Sequence, residues 1–168
     1  MQAIADESQI SKSLLFYYFK NKRTLYEDLF KLALSQLNQQ RLPAEQTTDF
    51  FWMLEAEIKE RLRLMQEYPL IFRFIMKVYQ DQQDPQLDQT RLFITQLEQQ
   101  KKKQVLSQID LLKFTDPEAV SLLYDLIFDL ADGYYQRISD QLWKQPEAVI
   151  AVFRSYLDSL REHYYRKD

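Results

Sequence analysis

The sequence predicts an all-α protein, a small amino-terminal head followed by a larger helical bundle. Three observations predict it. The 168 residues contain one Gly and five Pro, too few turn formers for a strand-rich fold. Hydrophobic residues make up 46% of the chain and recur at spacings of three and four, the period of an amphipathic helix. Capping residues and Pro punctuate those stripes at intervals of one helix length. A chain of this size can hold one sizeable core, or a small head on a larger body.

Taken in order, Ile4 and Ala5 lie in a first short helix, and Ser8-Gln9 make a tight turn. Ser11 is a good N-cap for a second helix, because its hydroxyl can accept an orphan backbone N–H. On a helical wheel from Lys12, Leu15 and Phe19 share one side, with Tyr18 at its edge, while Ser13, Tyr17 and Lys20 fall on the other. The first side is expected to pack on Ile4, Ala5 and Ile10. Asn21 caps a third helix, which Leu25, Leu29, Leu32, Ala33 and Leu37 carry to about Gln40. Arg41-Leu42-Pro43-Ala44 breaks it, and the boundary between a head, residues 1–41, and a body, residues 42–168, is placed there.

In the body, Thr47 or Thr48 is expected to start a helix with the stripe Phe51, Leu54, Ile58, Leu62 and Met65, ending around Tyr68-Pro69. A short aromatic helix follows through Val78, Gln80 to Gln83 form a loop, and Asp84-Pro85 reads as N-cap and first residue of the next helix. Lys101-Lys102-Lys103, late in that helix, reads as a solvated face compatible with the helix dipole. Asp116-Pro117 opens a helix with two apolar stripes, Val120, Tyr124, Ile127, Ala131, Tyr134, Ile138 and Ala119, Leu123, Leu126, Leu130, Gly133. So wide an apolar arc must bury one side in its own core and the other against something more. The last helix opens at Pro146 and repeats the theme with Val149, Phe153, Tyr156 and Leu160, flanked by Ile150, Leu157 and Tyr164. Two such helices can pair with their copies as a four-helix interface, or be the central helices of a monomer.

Charge singles out one window. Between Ile10 and Tyr26 there are four basic residues, Lys12, Lys20, Lys22 and Arg23, and no acidic ones, in a chain whose net charge is −3. A basic, aromatic-rich window in an acidic protein suggests a surface for a polyanion. Lys22 and Arg23 fall in the first turn of the third helix, where each exposed cation opposes the dipole by about 0.3–1 kcal/mol. A phosphate at that helix end turns the penalty into a gain. A solvated basic face is the plainer reading of the cations alone.

The ordered pattern around them runs Ile4-Ala5, Ile10-Ser11-Lys12, Leu15-Phe16, Tyr18-Phe19-Lys20, Lys22, Leu25, and it resembles the helix-turn-helix of the TetR family of bacterial transcriptional regulators. The resemblance implies that the short second helix is the recognition helix in the major groove of double-stranded DNA. Base-edge contacts then fall to Ser13 and Tyr17, and backbone positioning to Ser11, Lys12, Tyr18 and Lys22. It also implies a homodimer through the last two helices, with Val120, Tyr124, Ile127, Ala131, Tyr134, Val149, Phe153, Tyr156 and Leu160 at the interface. It further implies a cavity in the body for an apolar or aromatic small-molecule inducer, with Phe51, Trp52, Phe72, Met76, Phe93, Tyr124 and Phe128 as candidate lining. The function implied is that of a ligand-responsive repressor on a pseudo-palindromic operator; a helical ligand-binding or protein-interaction module without DNA binding is the alternative.

Two departures stand beside the match. Family members often have a small residue and Gly where this chain has Ser8-Gln9, and Gln fits such a turn without strain only if its φ stays negative, so a somewhat different turn is expected. The family also carries a helix of roughly twenty residues before the motif, where this chain has Met1-Gln2-Ala3, so the head reads as lacking its first helix.

Other chemistry finds no support in the residues. Without Cys there is no disulfide, thiol nucleophile or cysteine metal site. His163 is the sole histidine and is placed on an apolar stripe; Asp125, Asp129 and Asp132 share the polar face of their helix with Glu118, Ser121 and Gln136. No Gly-rich phosphate loop occurs, so no enzyme, metal or cofactor is expected. No apolar run approaches the roughly 18 residues of a membrane span, and the amino terminus lacks a signal-peptide pattern; a cytoplasmic protein is expected.

Overall fold

The computed structural model describes residues 1–41, 47–81, 84, 87–137 and 145–167, the side chains of residues 132, 135–137 and 146 excepted. Its helices are α1 (Gln2–Glu7), α2 (Lys12–Tyr18), α3 (Lys22–Gln39), α4 (Phe50–Glu67), α5 (Pro69–Gln80), α6 (Asp88–Gln108), a 3-10 turn at Leu111–Lys113, α7 (Val120–Arg137) and α8 (Pro146–Tyr164). Among the described residues the only β pairing is an isolated antiparallel bridge between Phe114 and Tyr165, so the fold is all-α. The residues fall into two compact units, Met1–Arg41 with Tyr68–Ile94, and Leu42–Glu67 with Thr95–Asp168.

The first unit holds the helix-turn-helix head and α5. Ala5, Leu15 and Leu25, one from each of the first three helices, form a small buried cluster on which Met1 and Phe19 pack. Further along α3, Phe30, Ala33 and Leu37 are buried, as are Ile75 and Val78 of α5. Edge-to-face ring pairs join the two helices, Tyr26 with Phe74 at 5.4 Å and Phe30 with Tyr79 at 6.2 Å. The Tyr26 hydroxyl adds a polar tie, donating to Asp81 at 3.2 Å. Burial, reinforced by the Asp81 charge and that hydrogen bond, pushes the Tyr26 phenol up to about 12. Ile4 and Ile10, expected in the head's core, are exposed instead, since a three-residue cluster is too small to cover them.

The second unit is built on an aromatic core of Phe50, Phe51 and Phe114, extended by Leu54, Ile109, Val120, Leu123, Tyr124, Ile127, Phe153 and Leu157. Around the bridge, the Thr115 N–H donates to Tyr164 and the Arg166 N–H to Lys113, both at 2.8 Å, so the end of α8 is stitched to the segment that precedes α7. Asp49 is the hub of this corner: it accepts from the Trp52 N–H at 2.9 Å and from the Lys113 ammonium at 3.0 Å. Burial pushes the Asp49 carboxyl up, but those donors and the Tyr165 hydroxyl outweigh it and hold it below the usual carboxylate range.

Two helix starts differ from expectation. Asp49, not Thr47 or Thr48, caps α4; the Thr47 hydroxyl instead accepts the Asp49 N–H at 3.1 Å. Asp116 folds back on the Glu118 N–H at 2.9 Å, an Asx turn that delays α7 to Val120. Helix α6 is described from Asp88. Lys101 and Lys102 are half-buried cross-links and not a solvated face: Lys101 pairs with Glu57 and Lys102 with Asp125, each at 2.6 Å. His163 is exposed, its Nδ1 2.7 Å from the Ser159 carbonyl, where an apolar stripe was expected. The break at Leu42-Pro43-Ala44, Gln82-Gln83, Pro85, Ile138 and the side chains of Asp132 and Gln136 lie outside the described residues.

Candidate nucleic-acid interface

Local chemistry shapes the turn between α1 and α2. The Ile10 N–H donates to the Ala5 carbonyl at 3.0 Å and the Gln9 N–H to Asp6 at 3.2 Å. This is the Schellman pairing, which needs a left-handed residue just past the helix end. Gln9 occupies that position at φ 55°, which overturns the expectation of negative φ. The turn therefore keeps the geometry usually supplied by Gly, at a conformational cost to Gln.

Both following caps form as their side chains dictate. Ser11 Oγ accepts from the Leu14 N–H at 3.1 Å and Asn21 Oδ1 from the Thr24 N–H at 2.9 Å. With its start pinned, α2 turns Leu15 inward and leans Phe19 on the cluster. The opposite side is open. Ser11, Lys12, Ser13, Tyr17, Tyr18 and Lys22 are all exposed, Tyr17 at 80% and Tyr18 at 68%. Those two rings meet edge to face at 5.3 Å, which restrains both without covering them. The first turn of α3 carries Lys22 and Arg23 and no acidic residue, beside backbone N–H groups that a helix start leaves unpaired. Hydroxyls, phenols and cations are thus exposed along α2 and at the start of α3, suited chemically to phosphate oxygens and base edges.

The candidate ligand residues fall in both units. Phe72, Met76 and Phe93 belong to the first, where Phe93 meets Phe30 edge to face at 6.2 Å and lies under the Lys31 ammonium. Phe51, Trp52, Tyr124 and Phe128 belong to the second. Phe51 is fully buried against Phe50, Phe114 and Tyr165, Tyr124 stacks on Phe128 at 4.4 Å, and Trp52 is exposed. Burial, with the Glu57 charge, pushes the Tyr124 phenol up to about 12.

Of the residues assigned to a dimer interface, Val120, Tyr124, Ile127 and Phe153 are buried in the unit's own core. At 1–7% exposure these four have little surface left to give a partner. Ala131, Tyr134 and Leu160 pack partly against that core, Val149 is half-buried, and Tyr156 is exposed, its ring 6.3 Å from Tyr134. Among the described residues, the large apolar side chains left exposed on α7 and α8 are Leu122, Leu126, Val152 and Tyr156. Leu122 and Val152 each lie off the longest apolar stripe of their helix. Among the described residues no three His, Cys, Asp or Glu gather to hold a metal, and no helix is long and apolar enough to cross a membrane.

Residues 1–29, the stretch that forms α1, α2, their turn and the start of α3, match the family of bacterial regulatory proteins, tetR family. Comparison with curated proteins and with solved structures found no match.

Proposed function

We propose that this chain, a bacterial regulatory protein of the tetR family by its first 29 residues, acts in the cytoplasm as a homodimeric repressor on a pseudo-palindromic DNA operator, released by an apolar or aromatic ligand. The observation that carries the reading is the exposure of Ser11, Lys12, Ser13, Tyr17, Tyr18 and Lys22 on α2 and the α3 start, beside a closed cluster; four of the six belong to the motif. Ser13 and Tyr17 read base edges in the major groove. Lys12, Tyr18 and Lys22 hold phosphates, and Ser11, whose Oγ already accepts a backbone N–H, keeps its hydroxyl proton to donate to one.

Two heads are presented by pairing the exposed apolar line of α7 and α8, Leu122, Leu126, Val152 and Tyr156, with its copy, flanked by Ala131, Tyr134, Val149 and Leu160. A ligand held by one of the aromatic sets, Phe51, Trp52, Tyr124 and Phe128 or Phe72, Met76 and Phe93, lowers operator affinity by favouring a form in which the heads fit the operator less well. The protein works by binding and not by catalysis. Binding measured over a set of operator variants tests the roles. Tyr17→Ala should relax base preference, and Lys22→Ala should weaken all sequences alike with a salt slope smaller by about one; the reverse pattern would overturn the assignment.

A further inference from the structure

The first turn of α3 carries a second cation, Arg23, and an acid one helical turn beyond it. Glu27 is 9% exposed, and its Oε1 has no hydrogen-bond donor. The nearest cation is the Arg23 guanidinium, whose Nε lies 3.8 Å from that oxygen, within ion-pair range but beyond a hydrogen bond. The next cation along the helix, Lys31, is placed over the Phe93 ring, 5.7 Å from its centre. A buried carboxylate oxygen without a donor pulls strongly on whatever charge can reach it. Arg23 can, because its side chain is half-exposed and carries five N–H donors.

Direction decides what this pull does. Side chains on a helix lean toward its amino-terminal end, which for Arg23 is the end where a phosphate would meet the free N–H groups of α3. Glu27, one turn further on, leans the same way and so brings its carboxylate beside Arg23, where it competes with phosphate for the guanidinium. The Arg-to-Glu order at this spacing is also the weaker one for an i,i+4 pair, which suits a contact that must break. We propose that Glu27 is a built-in competitor of DNA phosphate for Arg23, holding this cation away from the nucleic-acid face and so limiting sequence-independent affinity. The inference rests on the DNA-binding reading above and names a residue that tunes it without touching DNA.

Affinity of the protein for a mixed-sequence DNA duplex, measured by fluorescence anisotropy over a range of salt, tests this. Glu27→Gln should tighten binding at low salt by roughly three- to tenfold, and its log–log salt dependence should steepen by about 0.9, one phosphate contact. In an Arg23→Gln background the same change should give no more than Asp28→Asn, which alters net charge equally on an exposed neighbour. No tightening, or equal tightening without Arg23, would overturn the proposal. Should Glu27→Gln fail to fold by circular dichroism, Arg23→Gln alone decides. It should cost clearly less affinity than Lys22→Gln, and an equal loss would show Arg23 already engaged on phosphate. If the unsubstituted protein binds no duplex at any salt, the DNA-binding reading itself falls, and this inference with it.

Discussion

The turn residue Gln9 offers a sharp test of how the head is held. A non-glycine residue in the left-handed region costs about 1–2 kcal/mol, and Gln9 sits there at φ 55°. Gly removes that cost but returns about 0.5–1 kcal/mol through its greater freedom in the unfolded chain. Gln9→Gly should therefore stabilise the head by a net of roughly 0.5–1 kcal/mol, a two- to fivefold change in an opening equilibrium. Amide exchange is the assay. The Ile10 N–H, which donates to Ala5 across the turn, should exchange more slowly by about that factor if it opens with the head. Gln9→Ala, with the same backbone cost, should leave the rate unchanged, and the β-branched Gln9→Val should speed it. Faster exchange in Gln9→Gly, or equal rates in the Gly and Ala variants, would refute the strained-turn reasoning.

Other predictions follow from the second unit and the tyrosines. Phe114→Ala should cost about 3–5 kcal/mol in denaturant unfolding, because it opens a cavity among Phe50, Phe51 and Tyr165. Tyr26, Tyr124 and Tyr165 are each pushed up to about 12, first by burial and then by nearby carboxylates. A raised value means their contribution to stability is intact below pH 10 and lost as pH rises from 10 through 12. Absorbance titration should show these three ionising well above pH 10 and together with alkaline unfolding; ionisation of all three near 10 with the fold intact would contradict it. Asp49 runs the other way: its contribution is present above the ordinary carboxylate value and lost as pH falls through its lower folded value. Asp49→Asn should accordingly flatten the acid limb of the pH–stability curve below about pH 4. Leu126→Glu should convert the proposed dimer to monomer in analytical ultracentrifugation, whereas Leu92→Glu, an exposed control on α6, should not.

The sequence was most legible where one side chain dictates local geometry. Ser11 and Asn21 cap as their chemistry requires, Pro146 opens α8, and the alternation on α2 separates Leu15 from Tyr17. It was least legible where several candidates compete for one role. Thr47, Thr48 and Asp49 can all cap α4, and only the approach of Lys113 and Tyr165 from distant segments favours Asp49. Periodicity likewise marked Val120, Tyr124, Ile127 and Phe153 as apolar, but a stripe does not say whether its partner is the same chain or a copy. Gln9 escaped because residue preference argues against a left-handed Gln, whereas the paired hydrogen bonds to Ala5 and Asp6 demand one. The Lys101 and Lys102 cross-links were invisible for the same reason as Asp49: their partners are far away in sequence.

The central claim, that the exposed face of α2 and the α3 start meets DNA, is tested most directly by titrating the protein against duplex DNA from its own promoter region and from unrelated sequence, across salt. The account predicts tighter binding to the promoter duplex, affinity falling steeply and log-linearly with salt for both, and loss of the preference in Tyr17→Ala. Equal affinity for the two duplexes, or binding indifferent to salt, would contradict it.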